Sequence, residues 1–252
     1  MRYAELTADE IRGLDKRATV LMLPLGSCEQ HGRHLPVLSD TIIVTRIAEA
    51  VEQRFPTQIA LVPTVWVGSS SSHRRFAGAV SLDAVSYAQY LRDLCQSFIR
   101  DGFRKILLLN GHGGNIDPAK VALRMIKDAH PEVIVVLASY WELAEAVIQA
   151  IRESRPGGIG HACELETSLL LFLAPGLVNL EKATSGGQFR ESKYLGRDIY
   201  EASRVYVAVD HDELSPSGVY GDPTKASKEK GERLFNGIVA ALGEFIEEFQ
   251  SW

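Results

Sequence analysis

The sequence predicts an α/β domain with a largely parallel sheet between helical layers. Two observations carry that expectation. Short, continuous apolar segments alternate with longer amphipathic ones along the 252 residues, and alternation of this kind builds a parallel sheet with crossover helices. The apolar segments themselves show no polar alternation, as strands covered on both faces require. No Pro/Ser-rich linker, low-complexity tract or internal repeat interrupts the pattern, so residues 1–252 read as a single domain.

Taken in order, ATVLMLPLG (18–26) is the first strand, and the amphipathic stretch 40–54 follows with Asp40 as its N-cap. IALVPTVWVG (59–68) is the second strand, and SSSSH (69–73) is a loop. In the helix over 83–101, Val85, Ala88, Tyr90, Leu91, Leu94 and Phe98 fall mostly on one face. RKILLLNG (104–111), a helix over 116–129 and the strand EVIVVLASY (132–140) come next. A helix over 162–174, a loop over 176–203, the strand RVYVAV (204–209) and a long helix over 224–250 complete the chain.

Composition narrows the partners. Hydrophobic residues are 46% and charged residues 23% of the chain, the profile of an ordinary globular protein. A net charge of −5 argues against nucleic acid and anionic membranes, which need a basic face, and leaves a small molecule or another copy of the chain. MRYAELTADEIRGLDKR has no apolar core of a signal peptide, and no apolar run of membrane-spanning length occurs. Three widely spaced cysteines, Cys28, Cys95 and Cys163, suit reduced thiols, so a cytoplasmic location is expected.

Ligands of open α/β sheets collect at the carboxyl ends of the strands. Two polar loops stand there: GSCEQHG (26–32) after the first strand and NGHGGN (110–115) after the third. Glu29 and His31 are two apart, so an extended backbone points both the same way. Asp40 can return to the same point, and mixed His and carboxylate ligands suit zinc, manganese or iron. A surface turn and a helix cap are the plain alternatives for these three residues. Three glycines around His112 fit either a close backbone approach to a ligand or a Gly-rich turn. A phosphate cradle is disfavoured, because the Gly-x-Gly-x-x-Gly spacing and the Walker lysine are absent. GGIGHACELETS (157–168) brings His161, Glu164 and Glu166 to a helix start, where a carboxylate also serves the helix dipole. An imidazole there suits proton transfer. His34, His73, His130 and His211 read as packed or solvent-bonded histidines, and Trp141 as pocket lining or core.

In this order, GSCEQHG…Asp40, FAGAVSL (76–82), NGHGGN, HACELETS and GVYGDPTKASKEKG (218–231) resemble the creatininase family along nearly the whole chain. The resemblance implies a three-layer α/β/α sandwich with a mostly parallel sheet, assembled as a homohexamer. It implies a metal-dependent amidohydrolase with two divalent ions, Zn2+ first and Mn2+ or Fe2+ as alternatives. Glu29 and His112 would hold one metal, His31 the other, and Asp40 would bridge them. A metal-bound hydroxide would attack the carbonyl carbon of a C–N bond. His161 matches the family's proton-transfer histidine. Glu166 matches the ETS carboxylate, orienting His161 or supporting the metal shell.

Departures from the family pattern narrow the substrate. Creatininases place a glutamate ligand where this chain has Gly114, so Glu166, Glu164 or water would fill in. They place a ring-stacking tryptophan where it has Gly157, which disfavours creatinine itself. A non-peptide or formyl amide of a small molecule is the expected substrate, with creatinine or a modified peptide as alternatives. Arg74 and Arg75 offer a partner for a substrate phosphate or carboxylate, or form a solvated pair. Ala77 stands where the family commonly has a turn proline. Two rivals remain: a thiol amidohydrolase using Cys28 with His31 as base, and a non-catalytic metal-dependent ligand-binding protein.

Overall fold

A computed structural model describes residues 1–187 and 192–252. Its sheet has four parallel strands in the spatial order β2-β1-β3-β4. They are β1 Val20–Leu25, β2 Ile59–Leu61, β3 Lys105–Asn110 and β4 Ile134–Ser139. Among the described residues the α-helices are α1 Ala8–Gly13, α2 Ser39–Arg54, α3 Ala84–Asp101, α4 Ile116–Ala129, α5 Tyr140–Leu143, α6 Glu145–Ile151, α7 Glu164–Leu173, α8 His211–Leu214 and α9 Lys228–Gln250.

β1 is buried at every position, and its side chains divide by parity. Val20 and Met22 join Leu107 and Leu109 in one core, with Ile43 and Ile47 of α2, Leu165 and Leu169 of α7, and Leu234 and Ile238 of α9. Leu21, Leu23 and Leu25 join Ile106 and Leu108 in the other, with Tyr87 and Leu91 of α3 and Ala122 and Ile126 of α4. Successive strand residues face opposite sides, so a sheet covered twice needs apolar residues throughout. The architecture is the expected α/β/α sandwich, with helices on both faces of a parallel sheet.

Five local expectations change. The strand expected over 59–68 stops at Leu61. Val20 N–H donates to Gln58 and Val62 N–H to Met22, so the even positions of β1 face β2. Pro24 therefore lacks the N–H that would continue the ladder, and Pro63 lacks its own. RVYVAV (204–209) forms no strand: Tyr206 is 86% exposed, and β-branched residues without a neighbouring sheet edge stay a loop. In α3 the buried stripe is Tyr87, Ala88, Leu91, Cys95 and Ile99, while Val85 and Tyr90 face solvent. α9 begins at Lys228 behind its cap Ser227, after a separate 3-10 turn at Pro223–Lys225. Asp40 is not the N-cap of α2; Leu38 holds that place, and the Asp40 carboxylate points into a tertiary cluster instead. Residues 188–191 of the loop expected over 176–203 lie outside the described residues.

Leu25 stands opposite Asn110, and Asn110 opposite Ser139. β1, β3 and β4 therefore end level, and the loops leaving β1 and β3 emerge together at one rim.

Candidate active site

Both asparagines of NGHGGN work on that rim. Asn115 donates to the Gly26 carbonyl at 3.0 Å and accepts from Ser69 N–H at 2.9 Å, tying three loops together. Asn110 Oδ1 accepts from His112 N–H at 3.2 Å, so the loop turns His112 inward. Gly114 passes so close that a Cβ there would lie 2.3 Å from the Ser69 carbonyl oxygen and 2.5 Å from His112 Nε2.

The first turn of α2 brings Asp40 to the same point. Its Oδ2 accepts from Ser27 Oγ at 2.7 Å and lies 3.0 Å from His112 Nδ1. Its Oδ1 lies 3.0 Å from His31 Nε2. His112 Nε2 lies 3.2 Å from Glu29 Oε2, and Glu166 Oε1, in the first turn of α7, lies 3.9 Å from His31 Nε2. The structure thus brings together Glu29, His31, Asp40, His112, His161 and Glu166, with His161 Nδ1 3.5 Å from Glu29 Oε1.

Charge and burial act against each other here. Burial disfavours the His31 imidazolium, but Asp40 and then Glu166 outweigh it and hold its pKa up at about 10. His112 is held at about 9 by Glu29 and Asp40, again against burial. Burial raises the carboxyls of Glu29 and Glu166, the latter to about 7. Asp40 sits well below the usual range, because His31 and His112 overcome its burial.

Among the described residues, four groups of side chains bring ligand atoms within 4.8 Å of one another, three of them around Glu29 and Asp40: Glu29, Asp40 and His112; His31, Asp40 and Glu166; and Glu29, His31 and His161. Asp40 belongs to the first two. Glu29 is fully buried, and neither of its carboxylate oxygens has a hydrogen-bond partner. A buried, unpartnered carboxylate costs several kcal/mol, about what a cation would offset. The donor set and the orphaned oxygens both fit a divalent metal pair.

His73 and His211 are packed, as expected, but against the site itself. His73, at the end of the turn Ser71–His73, lies 3.4 Å from Glu29 Oε1 and stacks on His211 at 4.0 Å between ring centres. His73, His161 and His211 themselves bring ring nitrogens within 4.8 Å. Burial, then neighbouring histidines, hold His73 neutral at about 2, His211 at about 4 and His161 well below its ordinary value. The local sequence carries no sign of this: His211 returns to the site only because α8 folds back on the 71–73 turn. Gln30, inside the EQHG signature, contacts both His73 and His161 at 3.1 Å.

Other candidates find different partners. Arg74 pairs with Asp210 and Arg75 with Asp212, each at 2.8 Å, so both arginines hold α8 down within this chain. Glu164 accepts from the N–H groups of Glu153 and Ser154 and from Lys230, away from the metal groups. Cys28 donates to the Gly78 carbonyl rather than facing His31, and burial raises its thiol pKa, as it does that of Cys163. His34 meets Thr167, and His130 closes α4. Trp141 serves twice, packing against the first core and lining the site's cavity of about 400 Å³ beside Tyr140, Ile199, Leu214 and Tyr220.

Comparison with known proteins accords with this arrangement. The family model for creatinine amidohydrolase (creatininase) matches residues 4–246. A mycofactocin precursor peptide peptidase of Mycobacterium ulcerans (strain Agy99) is 31% identical over 229 residues, covering 87% of this chain and 81% of the relative. A creatinine amidohydrolase of Pseudomonas putida is 30% identical over 243 residues, covering 91% and 89%. A solved structure described as creatininase Mn superposes with a TM-score of 0.83 at 27% identity, covering 98% of each chain. The chain belongs to the creatininase family, whose members are hydrolases acting on amide bonds. No helix among the described residues is long and apolar enough to cross a membrane.

Proposed function

We propose that this chain is a metal-dependent amidohydrolase that cleaves a C–N amide bond of a small molecule at the site around Asp40. The observation that carries the reading is the shared carboxylate: Asp40 belongs to two of the ligand groups, and the Glu29 oxygens beside it are buried without partners. Glu29, Asp40 and His112 would hold one divalent ion, and His31, Asp40 and Glu166 the other. Zinc, manganese and iron(II) all suit such donors. When bound, the pair supplies Lewis acidity toward a carbonyl oxygen and brings the ionisation of water near neutrality.

The chain's own residues do the rest. His161 Nε2 lies 2.7 Å from the Gln30 carbonyl oxygen, so Nε2 carries the ring hydrogen and Nδ1 is bare. Nδ1 faces the Glu29 side of the site, takes the proton that water loses on attacking the amide carbon, and returns it to the departing nitrogen. Its depressed pKa leaves the imidazole neutral. Tyr140, Trp141 and Tyr220 wall the cavity around the reacting atoms. In this reading the enzyme works in the cytoplasm as a homohexamer.

The 31% identity to a mycofactocin precursor peptide peptidase favours a second reading, a modified-peptide substrate at the same site. Turnover of creatinine and other cyclic amides, N-formyl compounds and short peptides, each with zinc, manganese and iron(II), separates the two. Hydrolysis lost to a chelator and kept by Cys28→Ala supports metal chemistry over the thiol route. Bound metal with no turnover of any amide sinks the enzyme and leaves a binding protein.

A further inference from the structure

Gln30 is buried between two residues of the metal groups, and its side-chain amide has one orientation. The N–H of Gly32 donates to its Oε1 at 2.8 Å, and its Nε2 donates to the Gly218 carbonyl at 3.0 Å. Exchanging nitrogen and oxygen would set donor against donor and acceptor against acceptor at these two contacts. Position 218 is shaped for this: its φ is +78°, and a Cβ there would fall 1.9 Å from Gln30 Oε1.

Nε2 then has one hydrogen left and two imidazole nitrogens at 3.1 Å, His73 Nδ1 and His161 Nε2. The backbone decides between them. His161 Nε2 already donates to the Gln30 carbonyl oxygen at 2.7 Å, so it cannot also accept. The remaining amide hydrogen goes to His73 Nδ1, which must be bare. A neutral imidazole carries one N–H, so His73 carries its hydrogen on Nε2, 3.4 Å from Glu29 Oε1.

We propose that Gln30 is a positioning residue that sets two histidine tautomers at once: His73 with its hydrogen on Nε2, and His161 as a base with its lone pair on Nδ1. One consequence follows for the site. His73 is not a metal ligand, although its ring nitrogen lies within reach of His161 and His211; coordination through Nε2 would force a hydrogen onto Nδ1, against the Gln30 donor. The statement about His161 as base rests on the proposed function. The tautomers themselves do not.

Long-range 1H–15N spectra of the zinc-loaded protein, labelled at histidine, read each tautomer directly and need no substrate. The expected spectrum shows both His73 and His161 protonated on Nε2. Gln30→Glu, which puts an acceptor where the amide nitrogen stands, shifts the His73 hydrogen to Nδ1. With an amide that the wild type hydrolyses, the same variant lowers kcat by about ten- to a hundredfold with KM nearly unchanged. His73→Gln, whose amide N–H can stand in for Nε2–H, keeps more activity than His73→Leu. A wild-type His73 protonated on Nδ1, or a Gln30→Glu spectrum with both tautomers unchanged, overturns the proposal. The expected tautomers in a protein that hydrolyses no amide would uphold it and overturn the hydrolase reading.

Discussion

His31 Nε2 and Asp40 Oδ1 stand 3.0 Å apart with both side chains closed off from solvent. The other oxygen of the same carboxylate lies 3.0 Å from His112 Nδ1, so one aspartate joins the two halves of the site. Asp40→Ala removes a ligand from both groups and leaves two imidazoles without their counter-charge. Elemental analysis is expected to show loss of both metals, not one, with activity down by more than about a hundredfold. His31→Ala, by contrast, spares the Glu29, Asp40 and His112 group and keeps about one metal per chain. Equal loss in the two variants would count against a bridging Asp40.

The histidine charges make metal uptake pH-dependent in a definite direction. Without metal, Asp40 and its neighbours overcome burial and keep His31 protonated to about pH 10 and His112 to about pH 9. A metal needs the bare lone pair, so the free site holds more protons than the loaded one, and affinity rises with pH. At pH 7 zinc binding releases about two protons per chain from the two imidazoles, and more from Glu166, held at about 7, and Glu29, whose carboxyl burial raises; the imidazole share falls as pH passes 9 to 10. Both values lie above the ordinary histidine pKa of about 6.5. The same ion pairs therefore stabilise the metal-free fold fully below pH 6.5 and stop doing so as pH rises through 9 to 10. Calorimetry in buffers of different ionisation enthalpy counts the protons, and zero release at pH 7 contradicts the charge assignment.

α8 is held over the site from outside. Arg74–Asp210 and Arg75–Asp212 fasten it to the turn that carries His73, and His211 stacks on that ring. Both arginines are more than half exposed, so their pairs add little to global stability. The double variant Arg74→Ala/Arg75→Ala is expected to leave Tm almost unchanged, raise KM, and speed hydrogen exchange over residues 210–214. Unchanged exchange there would show that stacking alone retains the helix.

What was legible in the sequence follows from how local each signal is. β1 and β3 are buried almost throughout and β4 at its carboxyl end, and continuous apolar runs announce such strands without knowledge of partners. RVYVAV carries the same signal, but strand formation needs a free edge beside it, which no local pattern encodes. Glu29, His31, Asp40 and His112 stand in motifs whose order along the chain is itself informative. His73 follows four serines, and His211 sits in an acidic stretch 138 residues further on. Only the return of α8 onto the 71–73 turn makes them neighbours.

Gly114 marks where the family's pattern and this chain's packing diverge. A glutamate there would appear, from sequence, to restore a missing ligand. The backbone contradicts that: the first carbon of any side chain would lie 2.3 Å from the Ser69 carbonyl oxygen and 2.5 Å from His112 Nε2. Relief means moving either the 69–73 segment, which carries His73, or His112 itself. Gly114→Glu is therefore expected to weaken zinc binding by about tenfold or more, in line with the roughly 1–3 kcal/mol that overpacking costs. Gly114→Ala, which adds the clash without the carboxylate, should weaken it as much. Competition against a chromogenic chelator measures both affinities. If Gly114→Glu binds zinc more tightly than the wild type while Gly114→Ala binds it less tightly, the loop has room to yield and the ligand set can be extended; two equally weakened variants show that the loop sets the ligand count.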